Sequence, residues 1–220
     1  MGNKAEGLPS EKNWNEFWGT KAKAESTRKI WSKIRMMKLL DTITRPGMVV
    51  LDAGSGSGFF SNYFIDKGCD VYSLDYSDNA LSLTKDATGN KSKAYLNEDL
   101  LSESFGEKYS GVFDLIFSDG LFEHFSPEDQ VKIMNNFKNA KKEDGIIVTF
   151  VPKKYSWWQV VRPLFMPGIK EKPFTMKKLL ELHGGLECIR KGGLNVLPIF
   201  FSPDRTLGSR LGVIIYVFAR

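Results

Sequence analysis

The residues with the most chemical content begin at Met48. The run M-V-V-L-D-A-G-S-G-S-G holds an apolar stretch, an acid at Asp52, and glycines at the alternate positions Gly54, Gly56 and Gly58. Apolar residues ending in an acid predict a buried strand, Met48–Asp52. The glycines, with Ser55 between them, predict a turn whose backbone a ligand can approach without Cβ obstruction. A helix from Phe59 to Lys67 would then aim its first N–H groups at that ligand. A dinucleotide turn takes G-x-G-x-x-G. Here Phe59 stands where the last glycine would be, and the glycine falls one residue early. The turn therefore points to a nucleotide-like ligand and away from a dinucleotide.

Other reactive groups fall at spacings that suit one ligand. Asp75 ends a predicted second strand, Asp70–Asp75, and lies 23 positions after Asp52. A carboxylate there can accept hydrogen bonds from both hydroxyls of a ribose. This placement serves nicotinamide enzymes equally well, and a surface turn acid in D-Y-S-D is the plainer alternative. Asp99 and Leu100 follow a short third strand, Lys93–Leu96, and can be read as ligand contacts or as a polar loop. His124 carries an imidazole able to remove a proton near neutral pH; the alternative is a residue that shapes the loop. His183 reads as a surface residue or a partner to a helix end. With two histidines, and with Cys69 and Cys188 far apart, no protein-bound metal and no disulfide framework are expected. A reducing, cytoplasmic setting is the expectation.

These groups need a scaffold. Ser26–Ile43 is predicted as an amphipathic helix on Ile30, Ile34, Met37 and Leu40, after an aromatic cluster of Trp14, Phe17 and Trp18. Beyond Pro46-Gly47, strands and helices alternate. Ser77 or Asp78 caps a helix to Ala87. Phe113–Ser118 is a strand, Ser126-Pro127 starts a helix to Ala140, Glu143-Asp144-Gly145 turns, and Ile146–Val151 is a strand. Such alternation implies an α/β fold, a mainly parallel sheet with helices on both faces. The segment Pro152–Pro173 is aromatic, basic and broken by prolines. Thr175 caps a helix, Met176–His183. Leu186–Leu194 and Leu211–Phe218 read as the last strands, joined by a long loop, Pro198–Gly208.

At 220 residues, one domain is expected. No apolar run is long enough to span a bilayer, and the polar N-terminus argues against secretion. Charge is uneven: residues 1–47 hold ten Lys/Arg and five Asp/Glu, residues 48–150 nine and seventeen, and residues 151–220 twelve and four. Basic ends could meet nucleic acid, anionic lipid or an anionic small molecule, or simply be solvated. The stretch W-W-Q-V-V-R-P-L-F, apolar with basic flanks, also allows peripheral membrane contact through residues 155–165.

The segment F-D-L-I-F-S-D-G-L-F-E-H, Phe113 to His124, adds a specific likeness. With V-L-D-A-G-S-G-S-G it resembles the class I S-adenosylmethionine-dependent methyltransferases, in particular small-molecule enzymes related to those of ubiquinone and menaquinone biosynthesis. The resemblance covers roughly Met48–Val151 and implies a Rossmann-like, doubly wound sheet of seven strands with the last one antiparallel. It implies S-adenosylmethionine as cofactor and S-adenosylhomocysteine as product. By matching position, Asp52, Gly54, Ser55, Gly56 and Gly58 would line the methionine part and ribose. Asp75 would hold the ribose, Tyr76, Asp99 and Leu100 the adenine, and the Ser118 carbonyl the amino group. The division implied is an N-terminal helical cover (1–47), a cofactor core (48–151), a lid (152–174) and a C-terminal helix and strands (175–220). Asp119-Gly120 departs from the small or apolar pair usual there, and the tail carries no matching substrate motif. Lys153, Lys154, Arg162, Lys170 and Lys172 lie among Tyr155, Trp157, Trp158, Phe165 and Phe174. That mixture suggests an acceptor with an apolar body and an anionic group. The readings that compete are a nucleic-acid methyltransferase, for which no N-P-P-Y-type loop is present, a nicotinamide oxidoreductase, and a non-catalytic cofactor-binding protein.

Overall fold

The computed structural model describes residues 11–19, 31–165 and 171–220. The first ten residues, the Ser26–Ile30 start of the predicted helix, and Lys170 lie outside the described residues, as do the side chains of Arg162 and Phe165.

Seven strands form one sheet: β1 (Val49–Ala53), β2 (Asp70–Leu74), β3 (Ala94–Leu96), β4 (Phe113–Asp119), β5 (Lys141–Pro152), β6 (Cys188–Leu194) and β7 (Ile214–Ala219). Their order is β3-β2-β1-β4-β5-β7-β6. β1 to β5 pair in parallel, while β7 runs antiparallel to both β5 and β6. Among the described residues the α-helices are α1 (Glu11–Trp18), α2 (Trp31–Leu40), α3 (Phe59–Asp66), α4 (Asp78–Thr88), α5 (Glu103–Lys108), α6 (Pro127–Ala140), α7 (Trp157–Phe165), α8 (Met176–Leu182) and α9 (Asp204–Leu211). This is the doubly wound, Rossmann-like sheet expected from the sequence.

Strand periodicity explains the two cores. On β5, Ile147 and Val151 face one side, with Phe122, Phe137 and Leu179. Val148 and Phe150 face the other, with Met36, Phe60 and Phe64. Successive side chains alternate faces, so strands buried on both sides read as unbroken apolar runs. Predicted caps form: Ser77 accepts from the Ala80 N–H, Ser126 from Asp129, and Thr175 from Lys178. The β1 to α3 and β4 to α6 connections converge at the carboxyl ends of the central strands.

Several elements differ from the expectation. β5 begins at Lys141, because the predicted Glu143–Gly145 turn is absorbed as an irregularity opposite Phe113/Leu115. The predicted 198–208 loop contains α9. Its Gly208 lies against Gly193, where an added Cβ would meet the Gly193 oxygen at 2.0 Å. α1, α5 and α7 were not predicted as helices. Pro163, read as a breaker, lies inside α7.

Of its two readings, His183 bears out the partner to a helix end, at the C-terminus of α8, and not the surface residue. It is buried, with Nε2 3.1 Å from Thr149 Oγ1 and Nδ1 2.9 Å from the Leu179 carbonyl. Burial pulls its pKa down to about 4 from 6.5, against the Leu179 hydrogen bond, which favours the charged form. An unfolded chain therefore takes up a proton below pH 6.5 that the native chain refuses until about pH 4. Native stability should fall by up to about 3 kcal/mol across that window. A His183→Gln variant should show a flatter Tm against pH between 6.5 and 4; an unchanged slope would remove this role.

Candidate functional site

The glycine turn follows β1. The Gly54 and Ser55 N–H groups both donate to the Leu74 carbonyl at 2.8 Å, tying the turn to the end of β2. Gly54, Gly56 and Gly58 have φ of +79°, +52° and +75°, a conformation that side chains resist. An added Cβ at Gly58 would lie 2.7 Å from the Thr84 Cα. Gly58 therefore lets α3 and its turn pack on α4, and it lines neither cavity described below.

Asp75 organises the turn from the side. One carboxylate oxygen accepts from the Gly56 N–H and the other from the Ser77 N–H, both at 2.9 Å. Burial pushes its pKa upward, and these backbone hydrogen bonds pull it back. Asp52 is buried at the end of β1, where its Oδ2 accepts from the Ser61 hydroxyl at 2.6 Å. Burial raises its carboxyl to about 7, opposed by Ser61 and by the Lys33 charge. Asp119 at the end of β4 is raised by burial to about 6, again against Lys33. A cation arriving beside Asp52 would favour its charged form.

Two cavities open on this floor. The smaller, about 220 Å³, is lined by Asp75, Tyr76, Asp99, Leu100, Leu121 and Phe125 among others. The larger, about 370 Å³, is lined by Asp52, Ser55, Phe60, Phe117, Trp157 and Trp158 among others. Gly54, Asp119, Gly120 and His124 border both. Asp99 also closes its own loop, its Oδ1 accepting from the Leu101 N–H at 2.9 Å. Ser118 is fully buried, in register with Ala53 and Thr149, and borders neither cavity. Its neighbours Asp119 and Gly120 do so instead.

The N-terminal aromatics form a wall for both cavities. Trp14 and Trp18 border each of them, and the Trp14 ring packs edge-on to His124 at 4.7 Å between centroids. Asn15 fixes α1 to the start of α4: its Oδ1 accepts from the Ser77 hydroxyl at 2.6 Å, and its carbonyl accepts from Asn79 Nδ2 at 2.8 Å. Nothing in the local sequence marks Asn15, since its partners are more than sixty residues away.

The larger cavity also gathers Glu123, His124 and Glu171, whose ligand-type atoms all lie within 4.8 Å of one another. Glu171 carried no signal in the sequence, because the segment between α7 and α8 brings it there. The basic residues after β5 do otherwise. Lys153 donates to the Ser209 and Arg210 carbonyls, and Lys154 lies over Tyr155. Neither Lys153, Lys154 nor Lys172 borders either of these cavities; among the described residues, the cations on the larger wall are Lys33 and Arg35. Arg35 is held by Asn195 and Asp204. Phe174 belongs to the core.

Residues 51–149 match a family described as a methyltransferase domain. The fold and this match support an S-adenosylmethionine-dependent methyltransferase of class I. The chain has the fold of that class, and the match reaches from β1 into β5. It is similar in structure to a putative methyltransferase of Haloferax volcanii, solved with its Trm112 activator: TM-score 0.74 at 17% identity, covering 96% of each chain. It is similar to the N-methyltransferase NodS of Bradyrhizobium japonicum, solved with S-adenosylhomocysteine: TM-score 0.69 at 13% identity, covering 96% of this chain and 97% of that one. A TehB-like S-adenosylmethionine-dependent methyltransferase of Corynebacterium glutamicum gives 0.63 at 18% identity, covering 95% and 96%. At these identities the likeness is one of fold. No curated protein matches the chain.

Proposed function

We propose that the chain transfers the methyl group of S-adenosylmethionine to a small-molecule acceptor with an apolar body, in a cytoplasmic setting. The observation that carries this reading is the pair of cavities meeting at Gly54, Asp119, Gly120 and His124. The nucleoside would occupy the smaller cavity, with its ribose on Asp75 and its adenine among Tyr76, Asp99 and Leu100. The methionine part would run along Asp52, Gly54, Ser55 and Gly56, its ammonium group drawing the Asp52 carboxyl to its charged form. Gly58 and Ser118 would support these contacts from behind. The acceptor would fill the aromatic-walled larger cavity, and an anionic group on it would meet Lys33.

The sulfonium, when bound, supplies an already activated methyl group. The protein must then align the acceptor and exclude water. Trp14 and Trp18 supply that exclusion. His124, at the junction, would take the proton that the acceptor loses. A His124→Gln variant should lower kcat about a hundredfold while S-adenosylhomocysteine affinity stays within a factor of about two. Equal losses of kcat and affinity would instead make His124 a loop-shaping residue.

The acceptor class is tested by a methyl-transfer screen with labelled S-adenosylmethionine. Amphiphilic small molecules should be labelled, and RNA, DNA and protein should not. Labelling confined to RNA or protein would overturn the reading.

A further inference from the structure

We infer that the mouth of the larger cavity docks on an anionic membrane surface, from which the acceptor enters. α7 places Trp157, Val160, Val161 and Leu164 at helical spacing, which sets one apolar stripe. Yet Val160 and Leu164 are 80% and 82% exposed. The segment after β6 repeats the pattern, with Phe200 and Phe201 78% and 62% exposed and Ile199 beside them. The two are one surface. Trp157 Nε1 donates to the Val196 carbonyl, and Arg35 holds the Leu197 and Ile199 carbonyls. Trp157, Trp158 and Pro198 from these same segments line the larger cavity.

Large apolar side chains grouped at a cavity mouth mark an interaction surface. Charge decides for a lipid surface. Residues 151–220 hold twelve Lys/Arg against four Asp/Glu. The exposed Lys154 stands three positions before Trp157 and the exposed Arg205 four after Phe201, and Lys153 Nζ holds the carbonyl of the exposed Arg210 at the end of α9. The four acids of the same region are placed elsewhere: Asp204 faces Arg35, Glu171 lines the cavity, Glu181 pairs with Lys177 on α8, and Glu187 precedes β6, its backbone paired with Arg220. An apolar face with a basic border suits anionic headgroups over acyl chains. Docking itself does not depend on the methyl-transfer reading; only the identity of what enters the cavity rests on it.

The test is cosedimentation of the full chain with vesicles of phosphatidylcholine alone, and with vesicles of equal parts phosphatidylcholine and phosphatidylglycerol. Binding should be strong to the mixed vesicles, weak to the neutral ones, and reduced by salt. V160D/L164D and F200S/F201S should each weaken it about tenfold or more. Both variants should keep the wild-type Tm and S-adenosylhomocysteine affinity, which separates failure of docking from failure of the cofactor reading. Absence of vesicle binding, or binding that ignores both double variants, would overturn the proposal. So would a stable dimer, or a complex with another protein, that buries this face and is broken by the same variants.

Discussion

An Asp75→Ala variant is expected to bind S-adenosylhomocysteine close to a thousandfold more weakly than the wild type. Asp75 does two things at once. Its oxygens accept from the Gly56 and Ser77 N–H groups, and on the proposed assignment the remaining lone pairs take the ribose hydroxyls. Hydrogen bonds to a charged acceptor are worth about 1.5–3 kcal/mol each. Losing two to the ligand, and leaving two loop N–H groups without their acceptor, amounts to about 4 kcal/mol. Asp75→Asn keeps one oxygen, so it should fall between the two, about tenfold to thirtyfold weaker. Calorimetric titration reads all three affinities. A loss below about threefold for Asp75→Ala would remove the residue from the site.

Gly58→Val should act on stability rather than affinity, lowering unfolding free energy by about 4 kcal/mol. Its φ of +75° is one that a β-branched residue adopts only under strain. Its new Cβ would sit 2.7 Å from the Thr84 Cα, a backbone atom that cannot swing away. Gly56→Ala is the control. There the Cβ would meet the Trp18 ring at 2.8 Å, a side chain on α1 that can shift, so the stability cost should be smaller. Urea unfolding reads both. If Gly58→Val lost affinity while keeping its unfolding midpoint, the residue would belong with the ligand contacts after all.

The same pair of residues explains what was legible in the sequence. Asp52, Gly54, Gly56 and Asp75 are readable because local chemistry fixes them: an apolar strand must end, a turn needs positive φ, and an acid closes the next strand. Gly58 shares that local signature, yet the close approach of Thr84, 26 positions on, accounts for it. Ser118 was placed by pattern, and the sheet register puts Asp119 and Gly120 at the cavities in its stead. Asp119 had a signal, since an acid is out of place at the end of a buried strand. Asn15 and Glu171 had none, because their neighbours come from distant segments. α9 was missed because Gly208 weakens a helix; its reason is the backbone of Gly193. α7 shows the 3.6-residue spacing, but Pro163 inside it reads as a break. Local rules thus reveal the glycine turn and its acids, and tertiary contacts shape the larger cavity.

The most direct measurement is a crystal structure of the chain with S-adenosylhomocysteine. The ribose should lie on the Asp75 carboxylate, the adenine between Tyr76 and Leu100, and the amino-acid part along Gly54–Gly56 beside Asp52. Ligand bound elsewhere, or the adenine in the larger cavity, would contradict the account.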